Sequence, residues 1–267
     1  MSNFSFDVLD IPSADLFVLG YGLDVPGDLT LSTVAALRKS RRVFMLPEVP
    51  IGEFVNEPPV NLARHYGLEN LRHRSYRLMA DEVLDAAAEQ APVAFITYGH
   101  PVVGCRVGHL ILREAASRSI RVYVGSSPSS IETVCSLLGV EPFSGLQIWG
   151  SDQFLHRKPP IDVHSWLFLM QVPYVGTLNA THIVADVRYD KPSLLDLKSL
   201  LLAQYPSDHI SYFVRASMTD IPTAIRRFYL RDIVSAVPQN SATMVIPPIG
   251  SLQRDRLDAD LLFPQGL

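Results

Sequence analysis

The first half of the chain alternates four short apolar runs, residues 15–20, 42–46, 93–97 and 121–124, with segments whose apolar residues recur at helical spacing. A chain that switches repeatedly between short buried runs and crossover helices closes on itself as a parallel sheet with helices on its faces. The helical segments are legible one by one. Leu31, Val34, Ala35 and Leu37 follow Thr30 as N-cap, with Lys39, Arg41 and Arg42 at the carboxyl end, where a helix favours cations. Met79, Val83 and Ala87 mark a second helix, Leu110, Ile111 and Ala115 a third, and Ile131, Val134 and Leu138 a fourth.

The second half is richer in strand-like runs, at residues 166–172, 209–214, 226–230 and 243–246, and only one long helix, residues 193–203, separates them. This predicts a second, partly antiparallel α/β domain. A boundary at Gly125-Ser126-Ser127 gives domains at 10–124 and 125–248 with a tail at 249–267. The longest apolar stretch, residues 165–175, is interrupted by Gln171 and Pro173 and reads as a buried strand. It is shorter than the roughly 18 residues of a membrane span.

Charge and cysteine content exclude several function classes. A net charge of −4 without a Lys/Arg block does not suit nonspecific nucleic-acid binding. Cys105 and Cys135, the only two cysteines, lack the spacing of a zinc site and read as reduced side chains, so no metal is expected. The start of the chain has no basic region followed by an apolar one, and the expectation is a cytoplasmic protein.

Two loops carry the first chemical signal. Leu19-Gly20-Tyr21-Gly22-Leu23 follows the first apolar run, and Tyr98-Gly99-His100-Pro101 follows the third. Glycine and proline beside polar side chains at strand ends bring backbone against small ligands, although the same residues also make plain turns. No third glycine completes a dinucleotide fingerprint.

In order and spacing, Leu19-Gly20-Tyr21-Gly22, Leu29-Thr30-Leu31, Tyr98 to Gly104, Ser129-Ser130-Ile131-Glu132 and Leu138-Gly139-Val140 resemble the tetrapyrrole methylase superfamily over nearly the whole chain. The resemblance implies a two-domain class III methyltransferase fold with the cofactor cleft between domains, S-adenosylmethionine as cofactor and a homodimer. His100 stands where many relatives are acidic, and Ser126-Ser127-Pro128 replaces a usual Pro-Gly.

A narrower likeness is to the borosin peptide α-N-methyltransferases. It rests on Tyr98 to Pro101, Ser151-Asp152-Gln153-Phe154, Leu169 to Val172 with Gly176, Tyr205 to His209, Ile246-Pro247-Pro248, and the set Tyr66, Arg72, Ser75 and Tyr76. It implies methylation of backbone amides of a ribosomal peptide, with Tyr66, Arg72 and Tyr76 catalytic. It also implies cofactor contacts at Leu23, Tyr98, His100, Val103, Ser129, Ser130, Gln171, Arg215, Ala216 and Thr243.

The residue types suit that chemistry. An amide nitrogen is a poor nucleophile until its proton leaves and charge develops on the carbonyl oxygen. A guanidinium at Arg72 stabilises that charge and lowers a neighbouring phenol's pKa, with Tyr76 holding the amide and Tyr66 as base. The plain alternatives are buried aromatics for both tyrosines, a solvated basic cluster for Arg72, an N-cap for Ser129, a turn histidine at His100 and a buried-strand amide at Gln171. Rival functions are C-methylation of a corrin-type tetrapyrrole and a silent S-adenosylmethionine-binding dimer. The tail, with Arg254, Asp255, Arg256, Asp258 and Asp260, is poor material for an apolar channel, so the peptide is expected as a separate polypeptide.

Overall fold

A computed structural model describes residues 10–66, 71–177, 189–216, 222–239 and 241–250. Backbone contacts divide these between Ser130 and Ile131 into two compact units, a few residues beyond the junction at Gly125 to Ser127.

The first unit runs β1 (Leu16–Gly20), α1 (Leu31–Lys39), β2 (Arg42–Leu46), β3 (Val60–Asn61), a 3-10 turn (Leu62–His65), α2 (Arg72–Gln90), β4 (Val93–Thr97), α3 (Arg106–Ala115) and β5 (Val122–Val124). All five strands are parallel, in the order β3-β2-β4-β1-β5. Every residue of β1 and β4 is buried, because helices cover both faces. On one face Leu16, Val18, Val93 and Phe95 pack with Met79, Val83 and Leu84 of α2 and with Leu110 and Ile111 of α3. On the other, Phe17, Leu19, Ala94 and Ile96 pack with Ala35, Ala36 and Leu37 of α1. Each such Val, Leu, Ile, Phe or Met side chain contributes about 2 kcal/mol when fully buried, and a one-residue slip would exchange the two faces, so the register is fixed.

Local signals explain the helix ends. Thr30 caps α1, its hydroxyl accepting from the Thr33 N–H at 3.1 Å. Arg38 and Lys39 fill the last turn, whereas Arg42 belongs to β2 and lies over the Phe44 ring at 5.2 Å. Cys105 caps α3, its Sγ accepting from the Gly108 N–H at 3.3 Å. The two-residue β3 was not expected; it is too short for an alternating pattern.

The second unit contains α4 (Ser130–Leu138, within this unit from Ile131), β6 (Leu146–Gly150), α5 (Ser151–Arg157), β7 (Trp166–Met170), α6 (Lys191–Leu202), β8 (Ile210–Arg215), β9 (Ala224–Tyr229), α7 (Ile233–Ala236) and β10 (Thr243–Ile246). Its sheet, β6-β7-β10-β8-β9, is parallel only between β6 and β7. Leu167, Leu169, Phe213 and Met244 face α5 and α6, while Phe168, Val214 and Val245 face α4. The strand expected through residue 172 stops at Met170. Gln171 takes a positive φ of 61° and Val172–Tyr174 form a 3-10 turn, so residues 165–175 are not one buried strand. The missed β6 is an edge strand without a continuous apolar run. The tail at 251–267 and the first residues, on which expectations were also placed, lie outside the described residues.

Candidate active site

In the first unit the connections leave β1 and β4 over opposite faces of the sheet, and the two strands are neighbours. Ligands bind parallel sheets at such a reversal, beyond the carboxyl ends of the strands. Both expected loops are there. The Gly99 N–H donates to the Gly22 carbonyl at 2.7 Å, which ties the loop after β1 to the loop after β4. The loop after β5 joins them through Ser127, whose hydroxyl donates to the Gly99 carbonyl at 2.9 Å.

This junction accounts for the residues at Ser126 to Pro128. A side-chain carbon on Gly20 would stand 2.0 Å from the Gly99 oxygen and 2.1 Å from Ser127 Oγ, so Ser127 fits because Gly20 has no side chain. Gly99 itself has φ +64° and open space where a side chain would point, the kind of cradle that admits a small ligand against backbone.

The expected cofactor residues of this unit line the same strand ends. Leu23 is buried, its N–H donating to Asp28 Oδ2 at 2.8 Å. Tyr98 meets Tyr21 edge to face at 6.2 Å, and burial pushes its phenol up to about 12. His100 is half-buried, and its Nδ1 accepts weakly from the Val102 N–H at 3.4 Å, a turn bond that leaves Nε2 for other partners. Val103 is exposed. Ser129 is buried directly before α4, and Ser130 is its first residue.

The tyrosines and arginine come together through α2. Tyr66 ends the 3-10 turn after β3, Arg72 opens α2, and Tyr76 lies one turn further along it. The Tyr66 and Tyr76 rings meet edge to face at 6.2 Å. Burial is the main cause raising both phenols, and Arg72 lowers both without overcoming it. The Arg72 charge thus acts in the expected direction, but desolvation outweighs it and leaves both phenols above their ordinary value. A hydrogen bond joins the two hydroxyls. Ser75, from the same motif, is fully buried, and its hydroxyl has no hydrogen-bond partner among the described residues.

The second unit gathers its residues by antiparallel pairing. Thr243 opposes Val214 and Met244 opposes Leu169, which puts the start of β10 beside the ends of β7 and β8. Gln171, Arg215, Ala216 and Thr243 thus share one end of this sheet. Gln171 is exposed and left-handed, not the buried-strand amide of the plain reading. Arg215 donates from Nε to the Pro222 carbonyl at 3.1 Å, and the Thr243 hydroxyl reaches Met170 Sδ at 3.5 Å.

The remaining motifs of this unit act on its frame. Asp152 Oδ1 accepts from the Gly176 N–H at 2.7 Å. Buried His209 packs on Tyr205 at 5.2 Å and bonds the Pro247 carbonyl through Nε2 at 2.9 Å. Sequence reasoning missed Asp28 and the bridging bond of Ser127, because their partners lie in turns and loops that no periodicity marks.

A family model for tetrapyrrole (corrin/porphyrin) methylases matches residues 15–221, more than half of the chain and all of the first unit's loops. The chain belongs to this family. It is by family a methyltransferase. Curated relatives include a type I borosin cyclic peptide methyltransferase/precursor of Serendipita vermifera subsp. bescii, 24% identical over 263 residues, 94% of this chain and 62% of that protein. The dendrothelin A methyltransferase/precursor of Dendrothele bispora is 27% identical over 76% of this chain and 49% of its own length. The omphalotin A methyltransferase/precursor of Omphalotus olearius is 25% identical over 77% and 50%. The chain thus spans about half to three fifths of these relatives.

Among solved structures, the uroporphyrin-III C-methyltransferase of Thermus thermophilus matches with a TM-score of 0.60 at 17% identity, covering 87% of this chain and 91% of that one. The methyltransferase CobJ matches with a TM-score of 0.60 at 13% identity, covering 87% and 93%. These share the fold. Among the described residues no helix is long and apolar enough to cross a membrane, and no group of three or more His, Cys, Asp or Glu is placed to hold a metal ion.

Proposed function

We propose that this methyltransferase transfers methyl groups from S-adenosylmethionine to backbone amide nitrogens of a ribosomal precursor peptide, supplied as a separate polypeptide to a homodimer. The observation that carries the reading is the contact of buried Tyr66 with half-buried Tyr76, with Arg72 one turn away on α2. The borosin names of the curated relatives support the same substrate class.

The open backbone at Gly99 and the loops joined by Gly22 and Ser127 fit a small sulfonium nucleoside. When bound, the cofactor supplies an electrophilic methyl on sulfur. Leu23, Tyr98, His100, Val103, Ser129 and Ser130 are the first unit's proposed contacts, and Gln171, Arg215, Ala216 and Thr243 the second unit's. Arg72 holds the amide oxygen and stabilises its charge as the nitrogen loses its proton. Tyr66 takes the proton, directly or through water, and Tyr76, one turn from Arg72 on α2, helps hold the amide. Both phenols stay neutral until substrate arrives, so the base forms only beside the amide it serves.

The test incubates the purified chain and S-adenosylmethionine with peptides encoded by short reading frames beside its gene, and maps methyl-mass increments by fragmentation. Backbone N-methylation in trans is expected, with Tyr66→Phe and Tyr76→Phe both losing turnover. Increments confined to the chain's own residues 251–267 would overturn supply in trans. Turnover of a carboxylate-rich tetrapyrrole but of no peptide would overturn the substrate class.

A further inference from the structure

We propose that Glu82 is the positioning residue of the tyrosine pair, clamping the segment that carries Tyr66 against the helix that carries Tyr76. The inference rests on the reading of those tyrosines given above. Tyr66 and Leu62 are buried with Met79, Ala80 and Val83, which holds the segment near α2. Apolar burial is non-directional, so it does not decide where the Tyr66 hydroxyl points.

Glu82 supplies direction. Its Oε1 accepts from Arg64 Nη2, and its Oε2 bonds His65 Nε2 at 2.6 Å, so the two residues immediately before Tyr66 occupy both carboxylate oxygens. Arg64 also braces its own turn by donating from Nη1 to the Asn61 carbonyl at 3.0 Å, and the Tyr66 N–H closes that turn on the Ala63 carbonyl at 2.9 Å. The clamp therefore acts on a rigid 3-10 turn.

The lever is long. Glu82 lies six residues beyond Tyr76, about 9 Å along the helix axis at its usual rise. The segment is fixed to α2 at two separate points, the carboxylate at one end and the phenols at the other. With one point alone it could pivot. The Arg64 arm is 47% exposed and is worth little by itself, but Glu82 and His65 are only 24% and 22% exposed, where a paired carboxylate is less screened. Burial pushes the Glu82 carboxyl up, yet the bonds from His65 and Arg64 hold it below the usual range, so the clamp stays charged at neutral pH. Neighbouring acids on α2 do other work: Asp81 and Asp85 pair with Arg118.

The test labels the ten tyrosines with carbon-13 at Cζ and assigns the two relevant resonances with Tyr66→Phe and Tyr76→Phe. Glu82→Ala is expected to shift both resonances toward the position of a free phenol and to bring their titration to lower pH. Glu82→Gln, which keeps an acceptor oxygen, and Asp85→Ala, a control on the same helix, leave both in place. A folded Glu82→Ala protein with unmoved resonances overturns the role, as does an equal shift in Asp85→Ala. If Glu82→Ala does not fold, the double variant Arg64→Ala, His65→Ala removes the donors instead and is held to the same two outcomes. No methyl acceptor enters this experiment. Its failure therefore concerns Glu82 alone, whereas undiminished peptide turnover by both phenylalanine variants would overturn the functional reading beneath it.

Discussion

In the first unit the candidate residues follow the strands that position them: Leu23 after β1, Tyr98 to Val103 after β4, Ser129 after β5. In the second, Gln171 and Arg215 end their strands, but Thr243 begins one, and only the antiparallel pairing of β10 with β7 and β8 brings them to one end of the sheet. A parallel sheet collects a site from consecutive strand-to-helix loops. A mixed sheet collects it across long sequence separations. The proposed chemistry divides the same way, with a buried and a half-buried phenol and a guanidinium in the first unit, and an exposed amide in a strained backbone in the second.

The largest expected effect tests that division of chemistry. Arg72→Ala should lower peptide methylation by about 100-fold or more, on the order of 3 kcal/mol as for other oxyanion donors, while S-adenosylmethionine affinity measured by calorimetry is kept. Arg215→Ala, at the end of β8 in the second unit, should instead weaken cofactor binding with little effect on saturated turnover. Equal loss of saturated turnover in both variants would break the distinction between the units.

The next test concerns how each unit meets its ligand with backbone. Gly20→Ala forces a carbon against the Gly99 oxygen and should destabilise the protein by roughly 1–3 kcal/mol, with lost cofactor binding. Gln171→Gly should do the reverse for stability, because a residue with a side chain at φ 61° carries about 1 kcal/mol of strain that glycine relieves. It should also weaken cofactor binding. Thermal melts and calorimetry on the two proteins check both signs.

These cases show what the sequence makes legible. The four strands at β1, β2, β4 and β5 and helices α1 to α4 follow from local periodicity, and the paired loops from glycine after apolar runs. Gln171 was read as strand because Leu167 to Val172 is a nearly continuous apolar run; its left-handed turn has no signal until Pro173. The balance at the phenols is only half legible. The Arg72 charge is visible in sequence, whereas burial, the larger cause, arises only from packing. The roles of Glu82 and Ser127 are not legible because their partners lie far away along the chain.

A smaller effect is expected from two buried serines, one in each unit. Ser75 Oγ and Ser211 Oγ are fully buried without a hydrogen-bond partner among the described residues, and each unmet hydroxyl costs about 1 kcal/mol or more. Ser211→Ala should raise denaturation stability and leave activity alone. Ser75→Ala should raise stability similarly but reduce turnover, since Ser75 precedes Tyr76 in the catalytic motif. If both gain stability with activity intact, Ser75 belongs to the core and not to the site.

The smallest effect is a pH dependence confined to the second unit. Burial is the main cause depressing the His209 pKa, against the opposing bond to the Pro247 carbonyl and the nearby Asp208 charge. In the unfolded chain the imidazole returns to its ordinary value of 6.5, so below that pH the unfolded state binds the proton more readily than the folded one. The stability that His209 contributes is thus complete above the unfolded value and is lost as pH falls toward the folded one. Carboxylates held low in the first unit, such as Glu82, lose their contribution in a separate window, as pH falls below about 4.5. Thermal melts taken from about pH 7.5 down to about 5.5, on either side of the histidine reference, should therefore show a decline that Glu82→Gln retains and His209→Gln flattens. Glutamine keeps a donor for the Pro247 carbonyl without a titrating group, so the flattening isolates the proton from the hydrogen bond. An unchanged slope in His209→Gln would place the acid sensitivity elsewhere and remove this last difference between the units.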